Sequence, residues 1–182
     1  MPAQPDLAGQ QPDWPGHAVV QIGVPELEPW SVDRARHYDP GFVSRDPGFR
    51  HAHITILAPL TSWDAPALAQ LAARTPAFGF RLAEVGVFGN GIIHLRPEPE
   101  AAFGVLSAAA LDAHPGVVPN GGPDPRPHLT LDALGPGVSL ASTRAAVRRF
   151  VPAECVADAL ELVWYESGNC HLIQRWPLSG AP

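Results

Sequence analysis

The sequence predicts an α+β protein whose sheets are mostly antiparallel. Two pairs of strand-like segments are joined by tight turns, at Gly89-Asn90-Gly91 and at Gly168-Asn169, which are typical of hairpins. Ala- and Leu-rich segments with helical spacing separate the strands. The order of elements in the first half of the chain also recurs in the second half. Because the strands of a hairpin pair antiparallel, this pattern favours the α+β class.

The first half of the chain begins with a predicted strand at 17–24, an apolar and β-branched run that ends before Pro25. A loop-rich segment, 25–50, follows, with one helical turn near 31–37 and Pro-Gly turns in two copies of Asp-Pro-Gly-Phe. The next elements are a strand at 51–60, a helix at 64–74 with Asp64 as its N-cap, and a hairpin of strands 78–89 and 91–99.

The second half follows a helix at 100–113 and a turn-rich connection at 115–127. Its elements are a strand at 127–134, a helix at 139–150 capped by Ser139, and a hairpin of strands 156–167 and 169–178. Corresponding residues lie about 75 positions apart, a period too long for a solenoid repeat. We therefore interpret the two halves as a weak internal duplication.

The composition is that of a soluble protein with enough apolar residues for one core. Of the 182 residues, 46% are hydrophobic, yet no apolar run reaches the roughly 18 residues that a membrane span requires. The first residues have neither the basic nor the apolar region of a secretory signal, and their Pro, Gln and Gly content predicts a disordered lead-in at 1–16. We expect a cytoplasmic monomer with one domain at 17–178 and a tail at 179–182.

The charge and the remaining motifs narrow the class of function. The formal net charge is −6 and all 12 basic residues are arginine, so the chain is poorly suited to hold long nucleic acid by neutralising many phosphates. A small substrate or a local arginine patch remains compatible with this charge. Cys155 and Cys170 are expected to be buried thiols, and no CxxC pair indicates zinc. The chain has no GxSxG, P-loop or GxGxxG motif, so we expect neither ATP dependence nor a cofactor.

One short motif, His-apolar-Thr-apolar (HxT below), is present twice, at 53–56 (HITI) and at 128–131 (HLTL). In a strand, residues two apart lie on the same face, so each motif places a histidine and a threonine side by side, roughly 6–7 Å apart. The apolar neighbours point to the other face, into a core. A single copy is weak evidence, but a matched pair in a chain with eight histidines is seldom expected by chance.

Two such strands facing one cleft would supply His53, Thr55, His128 and Thr130 for chemistry on a phosphodiester. Imidazole titrates near neutral pH, so one histidine can take a proton from the nucleophile while the other delivers a proton to the leaving oxygen. Threonine hydroxyls can donate hydrogen bonds to the non-bridging oxygens as charge develops there. This chemistry needs no metal, and we expect none.

The two motifs, their spacing and the order of elements resemble the 2H phosphoesterase superfamily, in its branch of 2′-5′ RNA ligase-like and RNA 2′,3′-cyclic phosphodiesterase proteins. The resemblance runs from about residue 17 to 178 and includes HITILAPL, FGNGIIHLRPEP, RPHLTL and NCHLIQRWPL. It implies a bilobal, pseudo-symmetric fold of two mostly antiparallel sheets with outer helices and a central cleft. It also implies that His53, Thr55, His128 and Thr130 hold the scissile phosphate.

In the reaction that the resemblance implies, water opens a 2′,3′-cyclic phosphate of an RNA end or a nucleotide to a 2′-phosphate, and 2′-5′ ligase activity is a further possibility that it implies. We expect His128 to act as the base and His53 as the acid. Two alternatives stay open, a 2H esterase for another small cyclic phosphate and a non-catalytic module that binds RNA or nucleotides. The family often has a basic residue just after the second motif, where this chain has Asp132-Ala133.

Five further residues are predicted to contact substrate: Arg126, His51, Arg50, Tyr38 and Phe49. Arg126 and Arg50 lie next to the motifs and can bind phosphate, and a solvated surface arginine is the equal alternative. His51 shares the strand face of the first motif, where it can line the cleft, join a metal site or be an exposed residue at the strand start. Tyr38 and Phe49 can stack a base or pin the loop by packing. The remaining histidines lack a partner motif and are interpreted as structural or surface residues: His17, His37, His94, His114 and His171.

Overall fold

The computed structural model describes residues 15–122 and 125–181, and in these residues the chain forms eight strands and four helices. The strands are His17–Gly23 (β1), His53–Leu60 (β2), Phe78–Val87 (β3), Ile92–Glu98 (β4), Leu129–Ala133 (β5), Ala153–Ala157 (β6), Ala159–Tyr165 (β7) and His171–Pro177 (β8). The helices are Glu28–Tyr38 (α1), Ala65–Arg74 (α2), Ala101–Asp112 (α3) and Leu140–Val147 (α4), with short 3-10 turns at Pro25–Leu27 and Pro40–Phe42.

The strands form two four-stranded sheets, in the orders β2-β1-β7-β8 and β5-β4-β3-β6. Neighbouring strands in both sheets pair antiparallel, so the predicted α+β class with two mostly antiparallel sheets is confirmed. Each HxT motif belongs to an edge strand, β2 in the first sheet and β5 in the second, and these two edge strands contact each other.

The hairpins are exchanged between the two halves of the sequence. Hairpin β3–β4 follows the first HxT strand but pairs with the second, β5. Hairpin β7–β8 follows the second HxT strand but joins the sheet of the first through β1. The fold is therefore a pseudo-symmetric pair of sheets, each with strands from both halves of the chain, and the internal duplication stays a prediction from the sequence.

Two elements differ from the sequence prediction. The single helical turn expected near 31–37 is the 11-residue helix α1, whose apolar pattern is weak because Trp30 is its one fully buried residue. A separate strand, β6, precedes the final hairpin and pairs with β3. Its inward residues Ala153, Cys155 and Ala157 are small, so the alternation that predicts a strand is easy to miss.

The predicted helix caps are confirmed, and one apolar core joins the two sheets. The Asp64 carboxylate accepts a hydrogen bond from the Ala67 N–H at 2.9 Å, and Ser139 and Ser142 form a reciprocal capping box at the start of α4. The largest side chains buried in this core come from both sheets, from α2 and α3, and from the 3-10 turn before α1: Ile22, Leu27, Ile54, Ile56, Leu57, Leu60, Leu68, Leu82, Ile93, Leu95 and Phe103. Cys155 and Cys170 are buried free thiols, as predicted.

The end of the described chain is bonded to the fold. Just after the predicted domain end at 178, the Ser179 N–H donates to the Thr75 carbonyl at 2.8 Å and the Ala77 N–H donates to the Ser179 carbonyl at 2.8 Å. The predicted lead-in at 1–16 lies outside the described residues apart from its last two positions. Among the described helices, none is long and apolar enough to cross a membrane.

Candidate active site

The two HxT motifs meet where the edge strands β2 and β5 come together. His53, Thr55 and His128 line two cavities of about 320 Å³ each, one on either side of them, and Thr130 lines the second cavity. The structure therefore brings the four predicted residues to one cleft between the two sheets.

Strand alternation explains why these side chains reach the cleft. In β2, Ile54 and Ile56 are buried in the core while His53 and Thr55 lie on the opposite face, partly exposed. Around β5, Leu129 and Leu131 are buried in the same way, which leaves His128 and Thr130 accessible. The burial of the apolar residues fixes the register, because a shift by one residue would reverse both faces.

Both imidazoles are oriented by the same local hydrogen bond. Nδ1 of His53 lies 2.8 Å from the His51 carbonyl oxygen, and Nδ1 of His128 lies 2.7 Å from the Arg126 carbonyl oxygen. A carbonyl oxygen only accepts, so Nδ1 of each ring carries the proton. The Nε2 atoms are then the nitrogens left to accept or deliver a proton in the cleft.

His53 reaches the cleft, but protein surrounds most of its ring, and this loss of contact with water lowers its pKa. Removal of the ring from water lowers the pKa of His53 to about 4; the His51 carbonyl opposes this shift and a charge on His128 would add to it. His53 is therefore neutral near pH 7 when the cleft contains no anion.

Aromatic side chains that the sequence did not single out surround both histidines. The Tyr165 hydroxyl lies 3.2 Å from Nδ1 of His53. On the other side, the Phe88 ring meets His128 edge-on at 4.9 Å and stacks on His94 at 3.6 Å. His94, interpreted above as structural or surface, is buried beside the site, where its cross-strand partner is Thr130. His94 lies beside the site because β4 pairs with β5, and this pairing cannot be predicted from the residues around His94.

Two of the residues predicted to contact substrate are instead held by the protein. Nδ1 of His51 lies 2.6 Å from the Glu28 carboxylate, and its Nε2 accepts from the Ser44 N–H at 3.1 Å, so both ring nitrogens are engaged. Phe49 is 2% exposed and packs edge-on against His51 and Tyr165. The expectation that Phe49 stacks a base is therefore contradicted by its burial, and the packing alternative holds.

The other three predicted contacts lie in different places. Tyr38 lines the second cavity, where its hydroxyl donates to the Asp132 carboxylate. Arg126 is exposed, and its carbonyl orients His128. Arg50 lines a separate cavity with Glu161 and Arg175, so the structure does not bring it to the HxT motifs.

The second cavity has a positively charged side chain, that of Arg34 in α1, which no sequence pattern indicated. Arg34 lines this cavity together with His53, His128 and Thr130. Its guanidinium lies over the Trp30 ring at 5.4 Å and within 3.7 Å of the buried Asp132 carboxylate. Asp132 stands where relatives of the resembled family often have a basic residue, so the charge is supplied here by a different element.

Metal ligands do not converge in the described part of the chain. No group of three or more His, Cys, Asp or Glu side chains there has the geometry to hold an ion. His51, the residue considered for a metal site with His53, has its nitrogens turned to Glu28 and Ser44.

The family model of the 2′-5′ RNA ligase superfamily matches residues 23–169. The chain therefore belongs to this superfamily, whose members are 2H phosphoesterases. No curated protein matches the chain. Membership supports an activity of the phosphoesterase type.

Solved structures share the fold at low sequence identity. TT0787 of Thermus thermophilus is 19% identical with a TM-score of 0.58, over 91% of this chain and 100% of that chain. E. coli LigT complexed with 3′-AMP is 19% identical with a TM-score of 0.54, over 90% and 98%. E. coli LigT complexed with ATP is 18% identical with a TM-score of 0.52, over 91% and 98%.

Proposed function

We propose that this protein is a metal-independent phosphodiesterase that opens 2′,3′-cyclic phosphates of RNA ends or nucleotides to 2′-phosphates. The observation that carries the proposal is the pair of imidazoles, His53 and His128, which share one cleft and are oriented alike through Nδ1. The same groups serve 2′-5′ ligation, in which a 5′-hydroxyl replaces water as the nucleophile on the cyclic phosphate, a 2′-5′ bond forms and the 3′ oxygen leaves as a hydroxyl. The nucleotides present in the LigT structures support a ligand of this class.

The reaction requires one proton to be removed and one to be delivered. Water attacks the phosphorus of the cyclic phosphate and gives its proton to Nε2 of His128, while Nε2–H of His53 protonates the departing 3′ oxygen. The new P–O bond leaves a 2′-phosphate and a free 3′-hydroxyl. Thr55 and Thr130 donate hydrogen bonds to the non-bridging oxygens, whose negative charge increases in the transition state.

Because its pKa is low, His53 must gain a proton before it can act as the acid. His53 is neutral in the empty cleft, so as an acid it takes up its proton when the anionic phosphate binds beside Nε2 and raises its pKa. If the roles are reversed, neutral His53 is ready to act as the base without this step.

A substrate with sulfur in place of the 3′ bridging oxygen separates the two assignments. A thiolate leaves without a proton, so loss of the acid is tolerated on this substrate, whereas loss of the base is not. We expect His53→Ala to regain rate on the sulfur substrate and His128→Ala to remain slow. The opposite pattern would reverse the roles and keep the rest of the proposal.

Product analysis tests the proposed function itself. The wild-type protein is incubated in EDTA with a 2′,3′-cyclic nucleotide and with a short RNA that ends in the cyclic phosphate. A 2′-phosphate product on either substrate supports the proposal, and a 3′-phosphate product contradicts it. Binding of both substrates without turnover would identify the non-catalytic module, and turnover of only an unrelated cyclic phosphate would identify the other esterase.

A further inference from the structure

The three residues before the first catalytic histidine are held through their peptide groups. The Gln21 side chain donates to the Arg50 carbonyl at 3.1 Å. The Val24 N–H donates to the Ala52 carbonyl at 2.8 Å. The His51 carbonyl lies between these two anchored carbonyls and faces Nδ1 of His53 at 2.8 Å. The orientation of the His53 ring therefore depends on how firmly this short segment is held.

One carboxylate, Glu28 in the first turn of α1, provides much of that hold. Its Oε1 accepts from the His51 N–H at 3.1 Å and lies 2.6 Å from Nδ1 of the His51 ring. Its Oε2 accepts from the Ala52 N–H at 2.9 Å. Burial acts against the charge of Glu28, but these hydrogen bonds hold its pKa below the usual value, so it is ionised at neutral pH.

The His51 ring adds a contact on the other side of this segment. Glu28, His51 and the two backbone N–H groups that Glu28 accepts from are called the clamp below. Because Nε2 accepts from the Ser44 N–H, this ring carries its proton on Nδ1 and donates it to Glu28. His51 is thus a neutral link between the loop at 39–50 and α1. Both ring nitrogens of His51 thus face protein partners, although the ring also lines the second cavity.

We propose that Glu28 is a positioning residue for His53, acting through the backbone of His51 and Ala52. By fixing the His51 carbonyl, Glu28 keeps the proton of His53 on Nδ1 and leaves Nε2 aimed at the substrate. The inference rests on the proposed function for its effect on rate. Its structural part concerns the tautomer and orientation of His53, which can be tested whether or not the protein turns over a substrate.

The chemistry of the clamp requires a carboxylate. All three groups that approach Glu28 are N–H donors, and an ionised carboxylate only accepts. Glu28→Gln keeps the size of the side chain but presents an NH₂ group to at least one of these donors. The segment must then shift, and the His51 carbonyl shifts with it.

Glu28→Gln is compared with a matched control, Asp46→Asn. The Asp46 carboxylate also accepts from two backbone N–H groups, those of Gly48 and Leu172, both at 2.8 Å, but it has no bond to residues 51–53. The two variants thus weaken the same kind of contact, one at residues 51 and 52 and the other at Gly48 and Leu172. A milder second variant, His51→Asn, keeps a donor toward Glu28 and loses the acceptor for the Ser44 N–H.

Two readouts are taken on each variant, the histidine ¹⁵N spectrum and the kinetics on a cyclic phosphate. In the wild type and in Asp46→Asn we expect His53 as the Nδ1–H tautomer. In Glu28→Gln we expect a mixture of tautomers, with kcat lowered roughly 10–100-fold, the range typical for partners that orient a working histidine, and KM nearly unchanged. His51→Asn is expected to lie between the two.

The inference is overturned if the His53 signals and kcat of Glu28→Gln match those of Asp46→Asn. If the wild type turns over no cyclic phosphate, the proposed function fails, and the ¹⁵N spectra alone decide on the clamp. If Glu28→Gln does not fold, His51→Asn decides it: an unchanged tautomer and an unchanged kcat in that variant contradict the inference.

Discussion

At the scale of single residues, the acidity of His53 is the property that the sequence could not supply. The HxT motifs predict which histidines act on a phosphodiester, since imidazole can both take and give a proton near neutral pH. The pKa depends on burial, and burial depends on the chain that covers the cleft. The same holds for Phe49, an aromatic residue in a turn-rich loop that folds inward against His51 and Tyr165.

The lowered pKa of His53 predicts how stability changes with pH. The pKa is 6.5 in the unfolded chain and about 4 in the fold, so between these values the unfolded state binds more protons. This contribution to the free energy of unfolding is fully present above pH 6.5 and is lost as the pH falls toward 4. Urea unfolding from about pH 7.5 to about pH 4.5 should show a smaller loss for His53→Asn than for the wild type. Parallel curves for the two proteins would contradict the shifted pKa.

At the scale of elements, most of the fold could be predicted because the signals are local. The Asn-Gly and Gly-Asn turns, the alternation around each HxT motif, and the caps at Asp64 and Ser139 each need only a few neighbouring residues. The sequence predicts only one turn of helix α1 and does not separate strand β6, because their signals are weak: α1 is largely exposed, and the inward residues of β6 are small. These elements are defined by what they pack against.

The capping box of α4 gives a prediction at this scale. Ser139→Ala removes the hydroxyl that accepts from the Ser142 N–H at 3.1 Å. We expect the free energy of unfolding to fall by about 1 kcal/mol, with activity little changed because Ser139 lines neither of the two cavities at the HxT motifs. Chemical denaturation measures it, with Ser107→Ala in the interior of α3 as the control. A cap substitution that costs no more than the control would show that the box adds no stability.

At the scale of the whole molecule, the site exists because two sheets place their edge strands together. Sequence alone predicted that two HxT strands would face each other, through the resemblance to a known family. It could not predict that the hairpins are exchanged, since the choice of partner strand is made by contacts distant in sequence. That exchange ties both halves of the chain into each sheet, so the separation of the histidines depends on the fold as a unit.

Helix α1 links the site to this framework through Trp30. Its indole N–H donates to the Leu131 carbonyl, in the second HxT strand, at 3.0 Å. Trp30→Phe leaves that carbonyl without its donor and removes buried volume, so we expect a loss of roughly 2–4 kcal/mol of stability. Urea unfolding measures the loss, with Trp63→Phe at the surface as the matched control. Equal stabilities for the two variants would mean that α1 does not fasten the second strand.

The two-histidine mechanism is tested by measuring how fast an RNA with a 2′,3′-cyclic phosphate end is opened in EDTA. The proteins compared are the wild type, His53→Ala, His128→Ala and the double variant. We expect each single variant to lose roughly a thousandfold or more in kcat, and the double variant to lose little beyond that, because the two rings act in one step. His171→Ala is the matched control, since Nδ1 of His171 lies 2.9 Å from the Asn169 carbonyl in the same local arrangement. We expect wild-type rates for this control. The two-histidine mechanism is contradicted if the wild type is active and either His53→Ala or His128→Ala keeps a rate within about tenfold of it, since one general acid or base is worth at least ~100-fold.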